Sequence, residues 1–226
     1  GSPTDDFHRE LSEMYAVGCA NAFFGQGLYR FSFAHISPNG AWCFPESLSL
    51  SDRRSAEKHA TADALAIIAS MDVDCGLPQL FCLRGMTECL AIFGILNIPF
   101  IGNNPLQMDL SANKALTRSI VSACGVNVPE AQVLTRSSCL SGSIAPLSYP
   151  VVVKPVGSDN SHGVSLVTDS AQLNNAVTNA RIYHDQVLIE EYIALGREVR
   201  CGIVQMKDEL VCLPLEEYAV NTNERP

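Results

Sequence analysis

The run Pro150-Val151-Val152-Val153-Lys154-Pro155-Val156 sets a lysine inside an apolar strand, and Gly157-Ser158-Asp159-Asn160-Ser161-His162-Gly163 follows it directly. Stripping water from an ammonium is costly, so Lys154 calls for an anionic partner. A loop of small polar residues ending in Gly163 could converge its backbone N–H groups on phosphate oxygens while the lysine neutralises their charge. The bland alternative is a β-hairpin with a flexible tip and a snorkelling lysine. Glu190 and Glu191 end a second hydrophobic run, where a carboxylate needs a donor such as an adenine amino group or ribose hydroxyls. A solvated strand edge would look the same. Lys114, near the start of a helix beginning about Ser111, has the third suitable charge, although lysines on helices usually face solvent. Arg200 could touch a phosphate or an acid, or form a surface ion pair.

The surrounding pattern supplies elements to hold these groups. Phe7, Leu11, Met14, Tyr15 and Cys19 are spaced for one buried helical face, with Thr4 as N-cap. Tyr29 to Ile36 suits a strand, 55–70 a helix, and Met86 to Leu96 another. Short strands are expected at Asp74 to Leu80 and at Ile98 to Gly102. Strands alternating with helices imply a Rossmann-like parallel sheet in this half. It opens on a helix, so the chain is expected to be a fragment lacking its first strand. A helix capped by Ser111 runs to Cys124, and a strand covers Val128–Leu134. The polar stretch Thr135 to Ser143 reads as a surface connection. Beyond it come strands Val151–Val156 and Gly163–Val167, a helix from Ser170 to Tyr183, and strands Gln186–Ile193, Glu198–Gln205 and Glu209–Leu215, with Lys207-Asp208 as a tight turn. This half is an α+β unit with antiparallel pairing.

The 226 residues are 47% hydrophobic, enough for a real core, and no apolar run reaches membrane-spanning length. A net charge of -9 argues against nucleic acid and anionic membranes, which clustered Lys and Arg would hold. Nine cysteines form no CxxC and mostly sit in apolar runs, which predicts reduced, buried thiols in a cytoplasmic protein.

Lys114, the Lys154 strand with its loop, and Glu190-Glu191 followed by Glu198 occur in the order and approximate spacing of the ATP-grasp superfamily. The chain resembles its D-alanine–D-alanine ligase branch from end to end, with Asn97 to Gly102 similar to that branch's passage between domains. The resemblance implies an α/β ATP-grasp fold: a Rossmann-like domain over 1–103, a central subdomain over 104–184, and an incomplete carboxyl-terminal subdomain over 185–226. It implies an ATP-dependent ligase in which a carboxylate becomes an acyl phosphate that an amine then displaces. ATP and Mg²⁺ would be the cofactors. Lys114 and Lys154 would contact phosphates, and Ser158, Asn160, Ser161 and Gly163 would lie in the loop covering the triphosphate. Glu190 would bind adenine, Glu191 and Ile193 would flank it with backbone groups, and Glu198 would hold the ribose. The family's metal ligands would follow Pro226, so no metal ligand or catalytic residue is assigned. A homodimer is also implied.

Two departures point to a different acid substrate. Phe81-Cys82-Leu83-Arg84-Gly85-Met86-Thr87 stands where that branch carries His-Gly and Gly-Glu-Asp-Gly, and Asp159-Asn160-Ser161 replaces Gly-Ser-Ser. The opening Gly1 to Phe7, the 158–161 loop and the closing Leu215 to Val220 are similar to the branch members of mycosporine biosynthesis. That likeness implies joining an amino acid such as serine or threonine to mycosporine-glycine, an enaminoketone. The alternatives are a D-alanine–D-alanine ligase and a non-catalytic nucleotide-binding module.

Overall fold

In the computed structural model, which describes residues 1–23, 27–137 and 147–219, the chain divides into two units, Gly1–Ala112 and Asn113–Pro226. The expected boundary at 103–104 falls earlier, before α5 (Pro105–Ala112), which packs against a π-helical turn at Gly85–Cys89 and so belongs with the first unit. Cys139, the remainder of the polar stretch to Ser143, and Val220 lie outside the described residues.

The first unit is built around one carboxylate. Helix α1 (Asp6–Phe23) is capped by Asp5, whose Oδ1 accepts from the His8 N–H at 2.8 Å, rather than by Thr4. Its buried residues are Ser12 and Ala20, while Phe7, Met14 and Tyr15 are exposed, contrary to the apolar face expected. The reason is Glu13, on the same side as Ser12. Its Oε1 takes Arg9 Nη1 at 3.1 Å, His35 Nε2 at 2.9 Å and the Arg53 guanidinium, and a helix that turns this cluster inward cannot also bury Phe7 and Met14.

His35 lies on β1 (His35–Ile36), which pairs antiparallel with β2 (Trp42–Cys43) across a turn at Ser37–Gly40. Upstream of it, in place of the one long strand expected, Phe31 stacks on Phe33 and Tyr29 meets Phe23 of α1 edge to face. The helix expected over 55–70 starts later, as α3 (Thr61–Ser70), because His59 pairs with the Trp42 backbone; a short helix not expected, α2 (Leu50–Ser55), precedes it. The helix expected from Met86 begins as the π turn and continues as α4 (Leu90–Ile95). Ile36, Trp42 and Ala64 form the core, backed by Phe44, Ile68, Leu80 and Ile92. Among the described residues, parallel pairing is confined to one bridge, Gly76 to Phe100. The anticipated parallel ladder cannot extend, because Pro78 and Pro99 have no N–H to give it.

The second unit holds a four-stranded antiparallel sheet in the order β3-β6-β4-β5, made of β3 (Ala131–Leu134), β4 (Val151–Pro155), β5 (Ser165–Val167) and β6 (Val187–Glu191). Helix α7 (Ser170–Ala180) is capped by Asp169 and lays Leu173, Ala176, Val177 and Ala180 on Val151, Val153, Val167, Val187 and Ile189. Helix α6 (Lys114–Ala123) is capped by Asn113, whose Oδ1 accepts from Ala115 and Leu116, and not by Ser111.

The strand expected at Glu198–Gln205 is interrupted at Cys201-Gly202. Its first part, β7 (Glu198–Arg200), pairs with β10 (Glu216–Tyr218); its second, β8 (Ile203–Met206), forms a hairpin with β9 (Glu209–Cys212). The turn at Lys207-Asp208 is where it was expected, with Lys207 at φ +56°. Of the eight described cysteines only Cys43, Cys82 and Cys89 are buried, and all eight are unbridged. Cys201 and Cys212 are exposed because the β8–β9 hairpin has little packed against it, so its apolar residues face solvent. No helix of the described residues is long and apolar enough to cross a membrane.

Burial pushes the His35 imidazole below its usual range against the pull of Glu13. Burial also pushes the Glu13 carboxyl up, but hydrogen bonds and charge from His35 and Arg53 outweigh it and hold the group low. The unfolded chain therefore binds more protons in both ranges, and stability must fall with pH, first below about 6.5 for His35 and again below about 4.5 for Glu13. Thermal unfolding of the chain followed from pH 8 to pH 4 should show this loss, and His35→Gln should remove the upper step; a flat profile above pH 5 would contradict the assignment.

Candidate functional site

Strand register decides what Lys154 meets. In the β4–β6 ladder Val152 faces Glu190 and Lys154 faces Leu188, so Lys154 and Glu190 are diagonal neighbours on one face of the sheet. The alternate residues Val151, Val153, Val187 and Ile189 are on the other face, under α7. Lys154 Nζ is bonded to Glu190 Oε2, with side chains 23% and 12% exposed. Each charge is mostly shielded from water and is compensated by the other. Glu190, which the resemblance assigned to adenine, is thus the counter-ion of Lys154 in this structure.

Lys114 is brought to the same place by main-chain bonds. Its N–H donates to the Val156 carbonyl at 3.0 Å, and the Val156 N–H donates to Gln186 at 3.0 Å, which extends the ladder past the end of β4. The first residue of α6 therefore sits where β4 runs into the 157–163 loop, and Lys114 Nζ donates to the Ser158 carbonyl. Burial pushes the Lys114 ammonium below its usual range; Lys154 adds to this, while Asp159 and Glu190 oppose it. Two cations and two carboxylates act on one another here, in a protein whose net charge is -9.

The loop is folded on itself. Asn160 and Ser161 adopt φ +53° and +58°, and the His162 N–H donates to the Asp159 carbonyl at 3.1 Å, closing a left-handed turn. Ser158 Oγ donates to the His162 carbonyl at 2.9 Å, and the Val164 N–H donates to Ser161 at 3.2 Å. The amides of His162 and Val164 are thus bonded within the loop. Gly163 has φ +73°, and a Cβ there would lie 2.7 Å from Tyr183 Cδ2 and 2.8 Å from Pro155 Cγ, so only glycine lets the loop return against α7.

The structure gathers Lys114, Lys154, Ser158 and Glu190 into one cluster, with Asn160, Ser161 and Gly163 shaping the loop beside it. Glu191 faces away: its N–H donates to the Glu130 carbonyl at 2.8 Å and its carboxylate approaches the Glu130 N–H. Ile193 is exposed beyond the end of β6. Glu198 lies opposite Tyr218 on the separate β7–β10 ribbon, and the Arg200 guanidinium stacks 4.8 Å over the Tyr218 ring in place of an ion pair. Two features escaped the sequence reading, the Lys154–Glu190 pairing and the charge of Asp159 on Lys114. The first was signalled by parity, since Lys154 and Glu190 each fall out of step with the buried valines and isoleucine of their strands. Among the described residues no group of three or more His, Cys, Asp or Glu could hold a metal ion. No such group for the Mg²⁺ implied by the resemblance is found among the described residues.

Removing one member of a shielded pair leaves the other uncompensated. Glu190→Gln should lower the unfolding free energy by about 1–2 kcal/mol, below the figure for a fully buried pair because both groups retain some solvent. The double variant Lys154→Met/Glu190→Gln should recover most of it. Strict additivity in denaturant titrations would show that the two groups are not coupled.

Residues 120–223 match the family model described as D-ala D-ala ligase C-terminus. Among curated proteins, an uncharacterized protein of Sinorhizobium fredii, y4sG, is 33% identical over 141 residues, which is 62% of this chain and 40% of the relative. A D-alanine–D-alanine ligase of Methylorubrum extorquens is 29% identical over 198 residues, 87% of this chain and 56% of that protein. The chain thus spans about half the length of the curated relatives it matches. Among solved structures, the VanG D-Ala:D-Ser ligase of Enterococcus faecalis superposes with a TM-score of 0.79 at 22% identity, over 96% of this chain and 67% of that one. The chain is therefore similar to the carboxyl-terminal part of the D-alanine–D-alanine ligases over residues 120–223, and its fold resembles that of a solved ligase of this kind over 96% of its length.

Proposed function

We propose that this chain is the nucleotide-binding part of an ATP-dependent carboxylate–amine ligase. The observation that carries the reading is the pair of ammonium groups, Lys114 and Lys154, held by α6 and β4 at the entrance to a glycine-closed loop, in a chain homologous to such ligases. Phosphoryl transfer asks little covalent chemistry of a protein; it asks for positive charge fixed in place before the reaction. Both lysines meet that requirement. The Lys114 backbone is tied to Val156, and the Lys154 stem crosses a sheet whose other face is packed.

On this reading a triphosphate takes over the acceptor roles that Glu190 and the Ser158 carbonyl play for the two lysines. Glu190, displaced from Lys154, then accepts from the adenine amino group, with Glu191 and Ile193 flanking the base and Glu198 taking the ribose hydroxyls. Ser158, Asn160, Ser161 and Gly163 supply the covering loop. These assignments rest on the resemblance together with the placement of Glu190 beside Lys154.

Two acid and amine pairs compete as substrates. Likeness to the D-alanine–D-alanine ligase of Methylorubrum extorquens favours D-alanine for both positions. Asp159 in the loop and the Phe81 to Thr87 segment favour a different acid, and the likeness of the opening, loop and closing segments favours mycosporine-glycine with serine or threonine.

Lys154→Ala should abolish ATP binding measured by calorimetry, while Lys154→Arg should retain part of it; unchanged affinity in Lys154→Ala would refute the phosphate role. In the whole protein, ADP release with mycosporine-glycine plus L-serine, set against release with D-alanine alone, should distinguish the substrates. ATP binding without ADP release in either mixture would identify a non-catalytic nucleotide module.

A further inference from the structure

The 157–163 loop leaves β4 and returns to β5, and both of its ends rest on the turn that closes α7. The Tyr183 and His184 N–H groups donate to the Ala180 carbonyl at 3.1 and 3.3 Å, and Ala180 itself lies in the core. The turn is thereby fixed. At the loop's entry, a Cβ on Gly157 would lie 3.1 Å from His184 Cδ2, and the Gln186 N–H donates to His184 Nδ1 at 3.1 Å, which ties that ring to the residue before β6. At the exit, Gly163 lies against the Tyr183 ring, and the His162 ring meets the same ring edge to face, with centroids 5.5 Å apart at 62°. The contact carries inward. The His162 carbonyl accepts from Ser158 Oγ at 2.9 Å, and the Ser158 carbonyl accepts from Lys114 Nζ. A continuous path runs from Tyr183 through His162 and Ser158 to Lys114.

We propose that Tyr183 is a positioning residue for this loop, its ring latching His162 so that the Ser158 carbonyl stays on Lys114 until a polyphosphate takes its place. The proposal rests on the nucleotide reading above and deepens it with a residue outside the charged cluster. A polyphosphate that reaches Lys114 must move the Ser158 carbonyl, and that movement either breaks the Ser158 hydroxyl bond to His162 or pulls His162 off Tyr183. The latch opposes binding by as much as the ring contact favours the ligand-free arrangement. Its surroundings suit release: His162 and Tyr183 are both exposed, so their contact opens without uncovering the core, while buried Gly163 keeps the end of the loop in place.

The test uses the 226-residue chain, first without ligand and then with ATP and inorganic tripolyphosphate as probes. Tyr183→Leu keeps apolar bulk against Gly163 but removes the ring. In the ligand-free chain the His162 and Val164 amides, both bonded within the loop, should then exchange hydrogen about two- to fivefold faster, the lower part of the range for an aromatic pair, while the β4–β6 amides exchange as in the parent. The same variant should bind both probes more tightly by a similar factor, and Tyr183→Phe, which keeps the ring, should match the parent in both measurements. In a His162→Leu background, where the ring partner is already gone, Tyr183→Leu should change exchange and binding by a clearly smaller factor. A general loosening of the fold would instead speed the β4–β6 amides as well and act alike in both backgrounds. Loop amides at the parent rate in Tyr183→Leu, equal or weaker binding, or the same effect in both backgrounds would overturn the inference while leaving ATP binding intact. Failure of the parent chain to bind either probe would overturn the proposed function, and the ligand-free exchange would still decide whether Tyr183 holds the loop.

Discussion

An ammonium carried on a β-strand between valines can persist only if an anion meets it, and in this chain that anion comes from the adjacent strand. The β4–β6 register sets Lys154 diagonal to Glu190 on one face and stacks Val151, Val153, Val187 and Ile189 under α7 on the other. A slip of one residue would carry both charges into the α7 interface and four apolar side chains out of it. The pair and the core thus specify the same register from opposite faces. The rest of the site follows from it, because the ladder fixes where β4 ends, the Val156 carbonyl at that end receives the amide of Lys114, and the loop begins one residue later.

Much of this was legible before any coordinates. A charged residue in an apolar run, a small-residue loop ending in glycine and a helix signal after it correspond to β4, the 157–163 loop and α7, with errors of a few residues at their ends. What is local in sequence is well read, since alternation, turn chemistry and caps act over a few residues. Partnership across strands is not. The notion that Glu190 waits for a ligand and the notion that it already serves Lys154 fit the same residues, and only the register chooses between them.

The first unit was read less well, for physical reasons. The periodicity of α1 pointed to Phe7, Met14 and Tyr15 as core, yet the demand of one shielded carboxylate for three partners, the Arg9 and Arg53 guanidinium groups and the His35 imidazole, turned the helix the other way. Electrostatic satisfaction of Glu13 outweighed hydrophobic spacing, because an unpaired charge costs more to bury than an exposed aromatic side chain costs to leave in water. The expected parallel sheet failed on two prolines visible in the sequence, Pro78 and Pro99, whose effect on a ladder outweighs the strand propensity of their neighbours. Apolar neighbours do not by themselves bury a thiol: Cys212 lies on a hairpin whose apolar residues face solvent, and Cys201 borders that hairpin.

The two kinds of likeness bear on different parts of the molecule. A superposition over nearly the whole chain at 22% identity establishes that the fold is shared, and a fold is compatible with many substrates. The charged cluster is a local matter of the second unit, assembled from α6, β4, its loop and β6, so its chemistry can be argued from residues all present here. Discrimination between acids is different in kind. It depends on what stands against the reacting groups, which a shared fold does not fix.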